Sequence, residues 1–365
     1  MKGTTPPPFI RLFLVALIAL LRKGCAFISP QGARFLSVPA GRGPSTRMAA
    51  AASSPTKEGS VTVKEGPGLQ RFYDTWTWRG HKINYRVEGD EGDPPVLLIH
   101  GFGASVGHFK KNIPALVAEG YRVHAVDLLG FGASDKPKDV QYSLELWRDM
   151  LLEFVGELSR HAEEEWIFMG NSIGGLLTLM LTEAMQEKAR VKASVLFNTA
   201  GGLVSFREEE VPVYLRPVSW FFNNVVFGDF FGPMFFENFR TEDNVRSVLK
   251  QVYIADAVDD DLVNMLIEPS YDEGACDVFL KVLRGPAGPT PASLLKRINT
   301  RVLAIWGADD PWTPLSTGLH RGDSLSQHCA TYELVALPET GHCPHDERPD
   351  EVHAVLFPWL QALKE

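Results

Sequence analysis

From about Gly68 to Asn198, short apolar runs alternate along this chain with longer stretches in which apolar residues recur at helical spacing. Arg71 to Trp78 and Lys82 to Val87 read as strands joined at Arg79-Gly80-His81, the opening of a hairpin. Pro95 to His100 is a wholly apolar strand up to its last residue, and the pattern predicts a helix near Phe109 to Glu119. Tyr121 to Asp127 is the next strand, followed by a glycine-rich loop, Leu128 to Asp135, and an amphipathic helix, Ser143 to His161. Glu165 to Asn171 and Lys192 to Asn198 are two further strands, with a helical run, Leu176 to Met185, between them. Buried apolar strands alternating with helices predict an α/β chain with a mainly parallel sheet covered on both faces.

The alternation then stops. Residues 202–297 hold no clear apolar strand, and nine of the 22 phenylalanines fall between Phe206 and Phe239. Charged helical stretches follow, Glu242 to Tyr253 and Asp259 to Ile267, and then a turn at Gly285-Pro286-Ala287-Gly288-Pro289. Strand character returns at Thr300 to Trp306 and Thr331 to Leu337, and a helix closes the chain at Pro349 to Leu363. The pattern therefore predicts a core of 58–201 and 298–365, with 202–297 inserted between two late strands as a helical lid. The aromatic cluster serves either as the lid's own core or as an apolar floor for a large hydrophobic substrate.

Charge and composition set limits. The net charge is -9, yet residues 1–57 carry eight Lys or Arg and no acid, leaving 28 basic against 45 acidic residues beyond them. So acidic a body does not seek phosphate backbones, and a nucleic-acid partner is not expected. Leu12 to Leu21 is an apolar run of ten residues behind Lys2 and Arg11, too short to span a bilayer. With small residues at Gly24 and Ala26 it reads as a signal peptide, 1–26, cut after Ala26. Residues 27–57, rich in Ser, Ala, Arg and Gly, read as a transit-peptide-like segment. The order of parts and Phe27 directly after the cut resemble the bipartite presequence of algae with complex plastids; plain secretion is the alternative. Cys25 lies in that leader, and Cys276, Cys329 and Cys343 form no disulfide or metal-ligand spacing. No cofactor or metal is implied.

The chemistry concentrates in four loops. Gly170-Asn171-Ser172-Ile173-Gly174-Gly175 stands between a strand and a helix, with glycines two positions either side of Ser172. Such a turn lifts a hydroxyl out of the sheet at a helix N-terminus, where free N–H groups face a developing oxyanion. A serine needs a base, and the base needs an orienting acid. Trp306 to Pro314 contains Asp309 and Asp310 after one strand; Gly341 to Pro349 contains His342 and His345 after the next. Loops at the carboxyl ends of parallel strands share one rim, so these groups can meet. His100, His108 and Asp127 read as loop-bracing residues, His345 as structural, and Cys343 as loop packing beside His342.

The order Ser, Asp, His is that of the α/β-hydrolase fold, and residues 68–365 resemble that family. GNSIGG at 170–175, HGFG at 100–103, WGADDPWTP at 306–314 and GHCPHDERP at 341–349 carry the resemblance. It implies Ser172 as nucleophile, His342 as base and Asp310 as acid, because Asp310 stands three residues after Gly307 and four before Pro314. Asp309 would face solvent or cap the turn. The implied oxyanion donors are the backbone N–H groups of Phe102 and Ile173. The elbow and the GHCPHDE stretch are similar to pheophytinases and chlorophyll dephytylases of plastids. The implied substrate is a small hydrophobic ester, a phytyl ester of a chlorophyll derivative first among them, with peripheral thylakoid association in prospect. Two rivals remain. One is a carbon–carbon bond hydrolase of vinylogous diketones, against which Cys343 counts, since those enzymes usually carry Trp after the Gly-His. The other is a receptor that uses a hydrolase pocket without turnover.

Overall fold

The computed structural model describes residues 71–365 apart from 189, 204–212, 255–256, 318–320 and 365. The leader expected at 1–57 lies outside the described residues. Eight strands form one sheet in the order β1-β2-β4-β3-β5-β6-β7-β8. They are β1 (Asp74–Trp78), β2 (His81–Glu88), β3 (Pro95–Ile99), β4 (Arg122–Val126), β5 (Trp166–Asn171), β6 (Val191–Phe197), β7 (Arg301–Gly307) and β8 (Tyr332–Leu337). The first two make the expected antiparallel hairpin, β2 pairs antiparallel with β4, and every pair from β4 to β8 is parallel.

Burial on both faces explains the unbroken apolar run of β3; β4 is buried at every position too, although it carries Arg122, paired with Glu164, and His124. Alternate residues feed separate layers. Leu97 and Ile99 pack with α2 (Leu144–Leu158) and α3 (Ile173–Met185), entering a cluster with Trp147, Phe154 and Leu177. Val96 and Leu98 point the other way. There α1 (Asn112–Ala118) gives Ile113 and Leu116, and the closing helix, Pro349–Gln361, gives Val352, Leu356 and Trp359. The helix expected from Phe109 begins instead at Asn112, because Val106–Phe109 turns as a short 3₁₀ segment capped by Ser105.

Among the described residues between β6 and β7 there is no strand, and helices fill the interval. They are α4 (Arg216–Phe221), α5 (Gly232–Phe239), α6 (Glu242–Val252), α7 (Asp260–Ile267), α8 (Ala275–Leu283) and α9 (Pro291–Leu295). α6 and α7 share a cluster of their own, with Val245, Leu249, Leu262 and Val263. Leu294, Leu295 and Ile298 instead join the main core against α3, so the end of the insertion is anchored rather than free. The sheet reverses its winding around β3. The loops after β3 and β5 therefore open a crevice at their carboxyl ends, where α/β sheets bind ligands.

Candidate active site

Ser172 sits between β5 and α3 at φ 57°, ψ -119°, a left-handed conformation that costs a non-glycine residue about 1–3 kcal/mol. Its N–H is held by Phe197 O at 3.0 Å, and its carbonyl accepts from Ala200 N–H at 3.0 Å. The flanking glycines are there for room. A Cβ on Gly170 would lie 2.2 Å from Gly174 O, and one on Gly174 would lie 2.1 Å from Ile99 O. The Ser172 side chain does not cap its own helix, so the hydroxyl is left to the cavity it lines. Ile173 opens α3, where a backbone N–H has no intrahelical acceptor. The loop of Phe102 abuts the elbow: a Cβ on Gly101 would lie 3.2 Å from Ser172 Cβ.

His342 and Asp310 meet across 2.7 Å between Nδ1 and Oδ2, both buried. A carboxylate only accepts, so Nδ1 carries the proton and Nε2 is left as the basic nitrogen. The structure binds Asp310 to His342 directly, and Ser172 shares the cavity wall with the imidazole. Asp309, by contrast, is exposed. Burial alone would raise the Asp310 carboxyl's pKa. The charge and hydrogen bond of His342, with Thr313 and the Trp312 N–H, outweigh it and hold the acid below the ordinary range. Asn198 Nδ2 adds a fourth donor at 2.7 Å.

The remaining sequence candidates do other work. His100 is spent on the loops, with Nδ1 against Gly101 O at 2.7 Å and Nε2 accepting from Leu128 N–H at 3.0 Å. Asp127 accepts from Val106 N–H, Ala133 N–H and Asn84 Nδ2, and so braces the glycine-rich loop. His108 lines the cavity but bonds through Nε2 to Tyr253 Oη at 2.9 Å, while the same phenol O–H donates to Asp346 Oδ2 at 3.0 Å. His345 is buried with its ring against His108 at 4.5 Å between centroids. Cys343 is buried, lines the cavity and joins the lid cluster, where burial raises its thiol pKa far above the ordinary value.

Four residues that matter here were not singled out from the sequence. Asn198 and Thr313 grip Asp310. Asn171 Nδ2 donates to His342 O at 2.9 Å, and Glu347 accepts from Gly341 N–H at 2.8 Å. The readable signal was a polar residue at the carboxyl end of a buried strand, which fits Asn171 and Asn198. Nothing local marked Glu347 or Thr313.

The cavity between lid and core holds about 210 Å³. Its walls are mainly apolar: Val245, Val248, Leu249 and Val252 from one stripe of α6, Leu262, Met265 and Leu266 from α7, and Phe236, Phe239 and Phe279. Of the aromatic cluster, Phe236 and Phe239 pack on Phe279 and line the cavity, whereas Phe230 and Trp220, 84% and 62% exposed, stand on the surface. Trp312, 39% exposed, borders the cavity with its ring 5.6 Å from the His342 ring.

Buried neutral histidines make the fold acid-sensitive. Burial pushes His108 down to about 4 and His124 down to about 3, and lowers His100 and His345 as well. As pH falls below about 6.5 the unfolded chain takes up protons that the folded chain refuses, so stability falls through the window from about 6.5 to about 4. His108 alone costs about 2 kcal/mol by pH 5 at about 1.4 kcal/mol per unit. Urea midpoints at pH 7.5, 6 and 5 should decline steadily; an unchanged midpoint would mean these imidazoles are protonated or hydrated in the folded state.

Comparison with known proteins matches the same frame. The alpha/beta hydrolase family profile fits residues 96–355. An uncharacterized hydrolase, YugF, of Bacillus subtilis is 24% identical over 283 residues, covering 77% of this chain and 94% of the relative. The chloroplastic pheophytinase of Arabidopsis thaliana is 24% identical over 324 residues, covering 78% of this chain and 65% of its own length. The solved structure of a meta-cleavage product hydrolase from Pseudomonas fluorescens IP01 superposes with a TM-score of 0.61 at 23% identity, covering 80% of this chain and 98% of that one. At that identity the likeness establishes the fold.

Proposed function

The chain belongs to the alpha/beta hydrolase family, and on that premise we propose that it cleaves carboxylic esters of hydrophobic substrates through an acyl-enzyme. His342 Nε2 takes the proton of Ser172, whose oxygen attacks the ester carbonyl. The N–H groups of Phe102 and Ile173 receive the oxyanion. The alcohol leaves with the proton from His342, and water, activated by the same nitrogen, releases the acid. Asp310 keeps the imidazole in its Nδ1–H form and balances the charge it gains. The observation that carries this reading is the 2.7 Å His342–Asp310 bond at the wall of a cavity that the strained Ser172 also lines.

The cavity supports a hydrophobic chain as the bound group. Its mainly apolar walls suit an aliphatic group. A phytyl ester of a chlorophyll derivative is the leading specific candidate, supported by the similarity to pheophytinase. The test is a turnover series of p-nitrophenyl esters of graded chain length, with pheophytin and a vinylogous diketone alongside. Catalytic efficiency should rise by up to about fourfold per buried methylene and level off near the cavity's capacity. A profile flat in chain length removes the hydrophobic-ester reading. Faster turnover of the diketone than of any ester favours carbon–carbon hydrolysis.

A further inference from the structure

The lid is stitched to the loop of His342 by three consecutive residues. α6 ends at Val252, and Tyr253 leaves it extended, at φ -100° and ψ 120°. Val252 O accepts from His342 N–H at 2.8 Å. Tyr253 O–H donates to Asp346 at 3.0 Å. Ile254 N–H donates to Glu347 Oε1 at 2.8 Å, and Glu347 Oε2 accepts from Gly341 N–H, also at 2.8 Å. One buried carboxylate thus bridges a backbone amide of the lid and the amide just before His342. The fit is close, for a Cβ on Gly341 would lie 2.0 Å from Val252 O.

The His342 peptide is held from two sides. The lid holds its N–H, and Asn171, beside the nucleophile, holds its carbonyl at 2.9 Å. Removing either contact leaves the imidazole's backbone fixed at one end. Since reacting groups misplaced by about 1 Å can lose about a hundredfold in rate, a clamp here bears on turnover and not only on folding. We infer that Glu347 is a positioning residue, and that the 252–254 strap of the lid sets the placement of His342 for proton transfer. The lid is then part of the catalytic frame, and its register against the core reaches the base through backbone bonds.

This inference rests on the serine-hydrolase reading above, and the experiment separates the two. In the full chain, Glu347→Gln keeps size but replaces one accepting oxygen with a donor facing an N–H. Ile254→Pro removes the lid-side donor and sets a ring carbon against Glu347 Oε1 in its place, so it breaks the bridge from the lid side. Tyr253 already has the extended conformation a residue before proline prefers, and Ile254 is 47% exposed. Both variants should lower kcat on a p-nitrophenyl ester by about ten- to a hundredfold with KM within about threefold, and both should speed hydrogen exchange at the His342 amide. Tyr253→Phe, which leaves the two backbone bonds in place, should cost less than either. A kcat within about threefold of the parent in folded Ile254→Pro, or an unchanged His342 exchange rate, overturns the role of the lid. Exchange needs no turnover, so it judges the strap even if no ester is cleaved. Absence of any difference between the parent and Ser172→Ala counts against the ester reading alone.

Discussion

Ser172→Ala will cut turnover by about a million-fold and leave the fold intact, the size of loss that comparable nucleophile substitutions produce. The change removes one oxygen and little else. Alanine meets the same left-handed φ of 57° as serine, so the elbow's strain is unchanged. The bonds that pin the turn, Ser172 N–H to Phe197 O and Ala200 N–H to Ser172 O, are backbone bonds that survive. The hydroxyl caps no helix, so no cap is lost. Residual rate above the background reaction should remain, because the oxyanion donors and the Asp310–His342 pair are still assembled. Initial rates on a soluble ester, together with labelling by a fluorophosphonate probe, measure it. Turnover surviving within about a hundredfold places the nucleophile at another residue. A parent protein that binds hydrophobic esters but takes no label at Ser172 favours a receptor over an enzyme.

The elbow was legible because its constraint is local: two glycines at fixed offsets from Ser172 answer clashes of 2.2 and 2.1 Å with backbone oxygens. The succession of strands along the chain was legible because the central strands are largely apolar, whereas their order across the sheet was not, and the insertion after β6 showed as the interval where that apolar signal ceases. Distinguishing Asp310 from Asp309 depended on spacing from Gly307 and Pro314; in the structure Asp309 is exposed and Asp310 buried. What stayed hidden acts through contacts distant in sequence. Asn198 meets an acid 112 positions away, and Ile254 meets Glu347 across 93. Glu347 looks like any surface acid at the start of a helix until the fold folds its carboxylate beneath the lid. The volume of the cavity was equally unreadable, since stripes on α6 and α7 have the same periodicity whether they close on each other or leave a gap.

The second large effect belongs to Asp310→Asn, expected to lower kcat by on the order of ten-thousand-fold, as the loss of a triad carboxylate does elsewhere. The hydrogen bonds show where the amide must go. Oδ2 receives His342 Nδ1, Asn198 Nδ2 and Thr313 Oγ1, whereas Oδ1 receives the Trp312 N–H at 2.7 Å. An NH₂ in the Oδ2 place would face three donors; in the Oδ1 place it faces one. The amide therefore turns its nitrogen to Trp312 and its oxygen to His342. The imidazole keeps a hydrogen bond but loses the charge that offsets its own when it takes the proton of Ser172. In a site this buried, an uncompensated imidazolium is costly, and the rate bears that cost. The repulsion against Trp312 also perturbs a ring that borders the cavity, so KM should rise modestly while kcat falls steeply. Asp309→Asn is the control: an exposed neighbour one residue away, whose change should leave kcat within about twofold. Steady-state rates for the two variants, measured side by side at pH 7.5, decide between the adjacent acids. If Asp309→Asn is the damaging one, the 2.7 Å bond from Asp310 to His342 does not orient the catalytic imidazole.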